Sequence, residues 1–323
     1  MTELRWYQNK TINSLFENIR EGYKAILVVL SCGAGKSTIF AKLCEMCFNK
    51  NKKVLFLAHR KKLVTQFADR LMDQFGIPSN IIMGKLYSDN HLIYVASKDT
   101  IKSKKLPDVD LVIVDEAHRI ESAGYQKIVN HYKGKGTIVV GLTATPERLD
   151  GKGLLTFQTY INPAKMHELI RDKYLMETTV YSVDTGINYS KIKLGANGDY
   201  SETGLYEAYD NKASYDEIVR HYNEISKGEP TIVFAVNIAH SEKIKESFEA
   251  SGIKCGIVHS EIEEEQEDIY TSFQNREFDV LINCNTLIEG ADFDFVSTII
   301  LARRTLSKMY YVQMVGRVQR MHK

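Results

Sequence analysis

Apolar positions in this chain fall into two alternating kinds of run. Ile12, Leu15, Phe16 and Ile19 recur at the i, i+3, i+4, i+7 spacing of one helical face, and Leu63, Phe67, Leu71 and Phe75 share a face across residues 61–75. Short unbroken apolar runs stand between and after them, at 25–30, 54–57, 92–95, 111–114 and 137–142. A strand that is apolar at every position is buried on both faces. Separated by helices, such strands predict a parallel sheet covered on each side. The pattern loosens from about 143 to 228, where Asp150-Gly151-Lys152-Gly153 and Asn197-Gly198-Asp199 read as turns. It resumes at 231–236, continues as a helix to about 250, and gives further runs at 254–259, 280–284 and 297–302. The predicted fold class is α/β, with the second half repeating the architecture of the first and the crossing between 150 and 180.

Three segments at the ends of these elements carry chemistry. Gly33-Ala34-Gly35-Lys36-Ser37-Thr38 directly follows the run at 25–30. Its glycines let backbone N–H groups turn inward around an anion, and a following helix adds its N-terminal dipole. Lys36 would reach the β and γ phosphates of a nucleoside triphosphate, and Ser37 would ligate magnesium. The strict phosphate-loop spacing wants glycine at position 30, where this chain has Leu30. Asp115-Glu116-Ala117-His118 follows the run at 111–114, at the strand end where parallel sheets bind ligands. It offers a magnesium carboxylate in Asp115 and a water-activating one in Glu116. Gln313-Met314-Val315-Gly316-Arg317-Val318-Gln319-Arg320 supplies Arg317 and Arg320, whose guanidinium groups suit the charge that develops in phosphoryl transfer. The cofactors implied are ATP and Mg2+.

Composition narrows the class further. With 44% hydrophobic and 26% charged residues the chain reads as globular, and no apolar run approaches 18 residues, so no membrane helix is expected. The N-terminus lacks signal-peptide character and the five cysteines are scattered, which suits a cytoplasmic protein. Cys44 and Cys47 form a lone C-x-x-C inside a helical stretch and read as core packing. The net charge of +1 conceals an asymmetry: residues 1–150 carry +8 and residues 151–323 carry −7. Either the basic half faces a polyanion or the two halves attract each other. The acidic segment 261–268 reads as a solvated helix N-terminus rather than a metal site.

Nine short motifs in order resemble superfamily 2 helicases and translocases over nearly the whole chain. Arg5-Trp6-Tyr7-Gln8 resembles the adenine-reading element, in which Gln8 would hydrogen-bond the base. Residues 33–38 resemble motif I; Ala58-His59-Arg60, motif Ia; and Ala96-Ser97-Lys98-Asp99-Thr100, the next strand-contacting motif. Asp115 to His118 is motif II in its DEAH spelling, Leu142-Thr143-Ala144-Thr145-Pro146 motif III, and Val233-Phe234-Ala235 motif IV. Thr286 with Glu289-Gly290-Ala291-Asp292 resembles motif V, and residues 313–320 motif VI. The spelling resembles duplex translocases such as RecG, XPB and the phage branch-migration helicase UvsW more than RNA-remodelling DEAD-box proteins.

The resemblance implies two tandem RecA-like domains: 1–160 for ATP binding, then a linker and second domain over 161–323. It implies nucleotide binding by Arg5, Tyr7, Gln8, Gly33, Ala34, Gly35, Lys36, Ser37, Thr38, Gly290 and Asp292, the last at the ribose. Catalysis would fall to Lys36, Glu116, Gln313, Arg317 and Arg320, with Ser37 and Asp115 on magnesium. His118 would link motif II to motif III. Nucleic-acid contacts would come from His59, Arg60, Ser97, Thr100 and Thr286, with Lys102, Lys104 and Lys105 either adding basic charge or forming a solvated loop. The expected protein is a monomeric, cytoplasmic motor that remodels forked or branched DNA, in a host cytoplasm if phage-encoded. The alternatives are an RNA-dependent ATPase and a nucleotide-gated motor module of a restriction-type complex. Family members usually continue beyond motif VI with at least one more strand, so the resemblance implies either a truncated form or a second domain lacking its final strand.

Overall fold

The computed structural model describes residues 3–146, 153–195, 198–262, 264–286 and 293–319. It divides into two compact units, Met1–Asp172 and Lys173–Lys323. The first unit runs past the expected boundary at 160 for a local reason. A short strand at Thr159–Ile161 pairs with Ala25–Val29, and the Trp6 indole N–H donates to the Asp172 carboxylate at 3.0 Å.

In the first unit the chain runs α1 (Trp6–Arg20), β1 (Ala25–Val29), α2 (Lys36–Phe48), β2 (Val54–Ala58), α3 (Lys61–Phe75), β3 (Ser79–Ile82) and β4 (Ile93–Ser97). It continues through α4 (Lys98–Ile101), β5 (Leu111–Val114), α5 (Ala123–Gly134), β6 (Ile138–Thr143), β7 (Thr159–Ile161) and α6 (Met166–Arg171). The sheet is parallel throughout, in the order β3-β4-β2-β5-β6-β1-β7. Period-two alternation sends Leu27, Val29, Leu55, Leu57, Tyr94, Ala96, Val112 and Val114 into a core shared with Tyr125, Ile128, Val129 and Tyr132 of α5. On the other face Phe56 stacks on Phe67 of α3 at 3.8 Å and meets Phe40 of α2 edge-on at 5.4 Å. The buried stripe of α3 is Val64, Phe67, Ala68 and Leu71; Leu63 and Phe75, expected on that face, are only half-buried at its margins.

In the second unit the elements are α7 (Glu202–Tyr209), α8 (Lys212–Ile225), β8 (Thr231–Phe234), α9 (Ile238–Ala250), β9 (Cys255–Val258), α10 (Gln266–Gln274), β10 (Val280–Asn283), β11 (Thr298–Leu301) and α11 (Lys308–Val315). A parallel sheet has the order β11-β8-β10-β9. Ile232, Phe234 and Leu281 pack with Phe273 of α10 and Met314 of α11. Val233, Val280 and Ile282 pack with Val219 of α8 and Phe248 of α9. Thus both units place helices on both faces of their sheets, as the unbroken apolar runs require.

One buried group in this unit makes stability depend on pH. His240 is fully buried; its Nδ1 accepts the Val236 N–H at 3.1 Å and its ring stacks on Tyr209 at 5.6 Å. Burial pushes its pKa from 6.5 down to about 4, with Arg303 lowering it and Asp210 raising it. The unfolded chain therefore takes up the proton first as pH falls. The contribution is complete above the unfolded value of 6.5 and is lost towards about 4, a change of about 3 kcal/mol. Urea unfolding at pH 7 and pH 4.5 should show a smaller pH dependence in His240→Phe than in the wild type; equal dependence would remove His240 as the cause.

Candidate active site

Strands β5, β6 and β1 are neighbours, so their C-terminal ends lie side by side on one edge of the first sheet. The loop leaving β1 is sewn to the end of β6, since the Leu30 N–H donates to the Thr143 carbonyl at 2.9 Å. This explains the departure at position 30. Leu30 is buried beside the strand, and the positive φ angles of the loop fall at Gly33 (75°) and Gly35 (79°). Gly35 is the left-handed N-cap of α2, so the helix starts at Lys36 with Ser37 exposed in its first turn. The loop therefore presents helix N-terminal N–H groups, a lysine and a hydroxyl to one point, the donor set an anion with an attached hard cation requires.

The N-terminal element supports this loop from beneath. Tyr7 is fully buried, its hydroxyl donates to the Ala34 carbonyl at 3.0 Å, and Arg5 Nη1 donates to that hydroxyl at 3.0 Å. Gln8, expected to read a base, is 3% exposed. Its Oε1 accepts the Arg5 N–H at 3.0 Å and its Nε2 lies 3.5 Å from the Gly35 carbonyl. Sitting in the first turn of α1, it folds back onto its own helix start and touches the phosphate loop. A Cβ on Gly35 would come within 2.6 Å of the same Nε2.

The carboxylate pair follows β5. The Asp115 N–H donates to the Leu57 carbonyl at 3.0 Å, and Asp115 Oδ1 accepts the Glu116 N–H at 3.0 Å. Glu116 holds φ 48° and ψ 55°, a left-handed conformation costly for a residue with a side chain and frequent at functional sites. Buried His118 lies 3.3 Å from Glu116 Oε2 and 3.4 Å from Thr143 Oγ1 through its Nδ1, and the Thr145 N–H donates to Thr143 Oγ1 at 3.3 Å. Motifs II and III are thereby joined through His118. Close approach of this turn to β6 needs Gly141, where a Cβ would meet the Phe157 ring at 2.3 Å and Ala117 Cβ at 2.7 Å.

The same edge continues across β2 and β4, which are paired with Ala58 opposite Ser97. His59 and Arg60 follow β2, with Arg60 at the N-cap of α3 and the exposed Lys61 and Lys62 next to it. Ser97 itself is buried, and the Thr100 hydroxyl accepts the Gly84 N–H at 2.9 Å. These two residues shape the edge, while the exposed charge lies on α3 and on Lys102, Lys104 and Lys105. Among them Lys102 is paired with Asp99 at 2.9 Å. Among the described residues no cluster of three or more His, Cys, Asp or Glu could hold a metal. Ser37 and Asp115 fit magnesium as it is usually held beside phosphates, with one or two protein oxygens.

In the second unit Thr286 follows β10, with its hydroxyl donating to Asn283 Oδ1 at 2.7 Å. Gln313 is buried on α11, and half-buried Arg317 follows that helix. Gly290, Asp292 and Arg320 lie outside the described residues. Arg303 and Asn285 carry no expectation from the sequence, and Asp199 only that of a turn; the available signal for the first was the arginine pair directly after the last apolar run.

Residues 1–148 match the family model described as type III restriction enzyme, res subunit, and residues 212–322 match the helicase conserved C-terminal domain. The Saccharomyces cerevisiae protein IRC3, named among the ATP-dependent helicases, is 31% identical over 342 residues, covering 99% of this chain and 50% of that protein. A 51.5 kDa protein of a Lactococcus phage is 30% identical over 291 residues, covering 89% of this chain and 61% of that one. The chain thus spans between half and about three-fifths of the length of these relatives. Among solved structures, the ATP-dependent Type ISP restriction-modification enzyme LlaBIII bound to DNA superposes with a TM-score of 0.71 at 17% identity, over 99% of this chain and 27% of that one. Each of the two units has the fold of a RecA-like domain. Among the described residues no helix is long and apolar enough to cross a membrane.

Proposed function

The chain belongs to superfamily 2 of the helicases and translocases, and on that footing we propose that it is an ATP-hydrolysing motor that moves on DNA and remodels forked or branched duplexes. One observation carries the reading. A single sheet edge bears the phosphate loop and the Asp115–Glu116 pair at β1 and β5, and the basic turn His59–Arg60 at neighbouring β2. The acidic pair on β5 is next to the strand that leads to the surface proposed to hold a nucleic-acid backbone, and the phosphate loop on β1 is three strands from it.

The chemistry assigns each residue one task. Gly33, Ala34 and Gly35 cradle the phosphates with backbone N–H groups, Lys36 neutralises the β and γ oxygens, and Thr38 closes the first turn behind them. Magnesium, held by Ser37 and Asp115, would polarise the phosphate oxygens. Glu116 orients the attacking water and takes its proton, with His118 holding the carboxylate near Thr143. Gln313, Arg317 and Arg320 are assigned to the hydrolysis step, the arginines neutralising developing charge. DNA is favoured over RNA by the restriction-enzyme family model across residues 1–148.

The test is ATPase rate measured in parallel with single-stranded, duplex and forked DNA, a four-way junction and RNA. Duplex or forked DNA should stimulate most. Because phosphate contacts release counterions, DNA affinity should fall about 10³- to 10⁵-fold between 50 and 200 mM salt if six to ten phosphates are held. Stimulation by RNA alone, or a flat salt response, would overturn the DNA assignment.

A further inference from the structure

Arg303 stands directly after β11 and is only 8% exposed, yet among the described residues it makes no ion pair. Its Nη1 donates to Asn285 Oδ1 and to the Tyr310 hydroxyl, both at 3.1 Å. The guanidinium also lies over the Tyr310 ring, 4.7 Å from its centroid, while its Nε is buried without a hydrogen bond. A buried guanidinium without a carboxylate recovers little of its desolvation cost, and an apolar residue of similar volume is often no less stable there. Its presence therefore calls for a reason other than stability.

That reason lies in what the group holds. Asn285 adopts a left-handed φ of 61° at the turn leaving β10, immediately before Thr286. Its Oδ1 accepts from Arg303 and from the Tyr310 hydroxyl, and its Nδ2 lies 3.5 Å from Glu202 Oε1. Tyr310 belongs to α11, the helix that carries Gln313 and leads to Arg317. The next residues are pinned from the other side. Asp199 Oδ1 accepts the Leu306 N–H at 2.7 Å and its Oδ2 accepts the Thr305 hydroxyl; Ser307 Oγ then caps α11 by accepting the Tyr310 N–H at 3.3 Å.

We propose that Arg303 is a positioning residue that fixes the Thr286 turn against the helix bearing Gln313 and Arg317. It thereby makes the Thr286 turn and α11 respond as one body. The inference rests on the reading of the chain as an ATP-driven motor. Only a planar, multi-donor cation can stack on Tyr310 and donate to Asn285 together, so lysine is not an equivalent.

The test compares the wild-type chain with Arg303→Met and Arg303→Lys by amide hydrogen exchange, thermal melting and steady-state ATPase kinetics. In Arg303→Met the melting temperature should be unchanged or higher, while exchange at residues 284–286 and 309–312 quickens at least about ten-fold. DNA-stimulated kcat should fall at least about ten-fold with KM for ATP unchanged, and Arg303→Lys should not restore it. Unchanged exchange at both segments overturns the proposal. So does a lowered melting temperature with exchange raised throughout the second unit, which would make Arg303 an ordinary core support. If the wild type itself shows no stimulated ATPase, the functional reading falls, and the exchange comparison still decides whether Arg303 couples the two segments.

Discussion

Glu116→Gln should bind ATP as the wild type does and turn it over roughly 10²- to 10⁴-fold more slowly, the range set by loss of a positioned general base. The substitution keeps the side-chain length and the left-handed backbone of the turn, and it leaves the phosphate loop on β1 untouched. What it removes is the carboxylate able to take a proton from water. Equilibrium binding of a fluorescent ATP analogue and steady-state ATPase with forked DNA separate the two quantities. Turnover within a few-fold of wild type would remove Glu116 from the chemistry.

Lys36→Ala should weaken nucleotide binding itself. A charge-assisted hydrogen bond contributes about 1.5–3 kcal/mol, so its loss should raise Kd about 10- to 100-fold, with turnover falling as well. Lys36 opens α2 on its half-buried first turn, and alanine is the better helix former, so the fold should survive. The contrast with Glu116→Gln is the informative part: one variant separates binding from turnover and the other moves both. An unchanged Kd in Lys36→Ala would mean that the loop does not hold the phosphates.

The central strands were legible because each carries an unbroken apolar run, as in Ala-Ile-Leu-Val-Val of β1. The edge strands of the first sheet were not. β3 is Ser-Asn-Ile-Ile, and its buried Asn80 is satisfied by the His91 carbonyl and the N–H groups of Asn90 and His91. β7 is three residues long. Helix α8 was concealed within the loosened region, although Tyr215, Val219 and Tyr222 have helical spacing and Asn211 caps it by accepting the Ser214 N–H. Tyrosine was the obstacle, since its polar tip disguises a core ring. At the candidate site, the placement of the loop after β1 and of the acidic pair after β5 was readable, because both directly follow unbroken apolar runs. The contacts of Gln8 were not, because they depend on how α1 meets the loop. Arg303 could not be read as a coupling group, since its partners come from turns and helices distant in sequence.

The seam that holds the phosphate loop also sets the order in which the molecule can be assembled. β1 has only β6 and β7 as sheet neighbours, and Ala25 pairs with Val139, more than a hundred residues later. During synthesis the strand that launches the loop therefore waits unpaired, while β2, β3 and β4 can already associate among themselves. Glycine-rich loop and lysine are made more than a hundred residues before β6 is complete, and the rigid platform beneath them closes only when the Thr143 carbonyl arrives to receive the Leu30 N–H. On the reading proposed above, nucleotide affinity is thus acquired only once β6 has joined β1, long after the residues assigned to phosphate have been made.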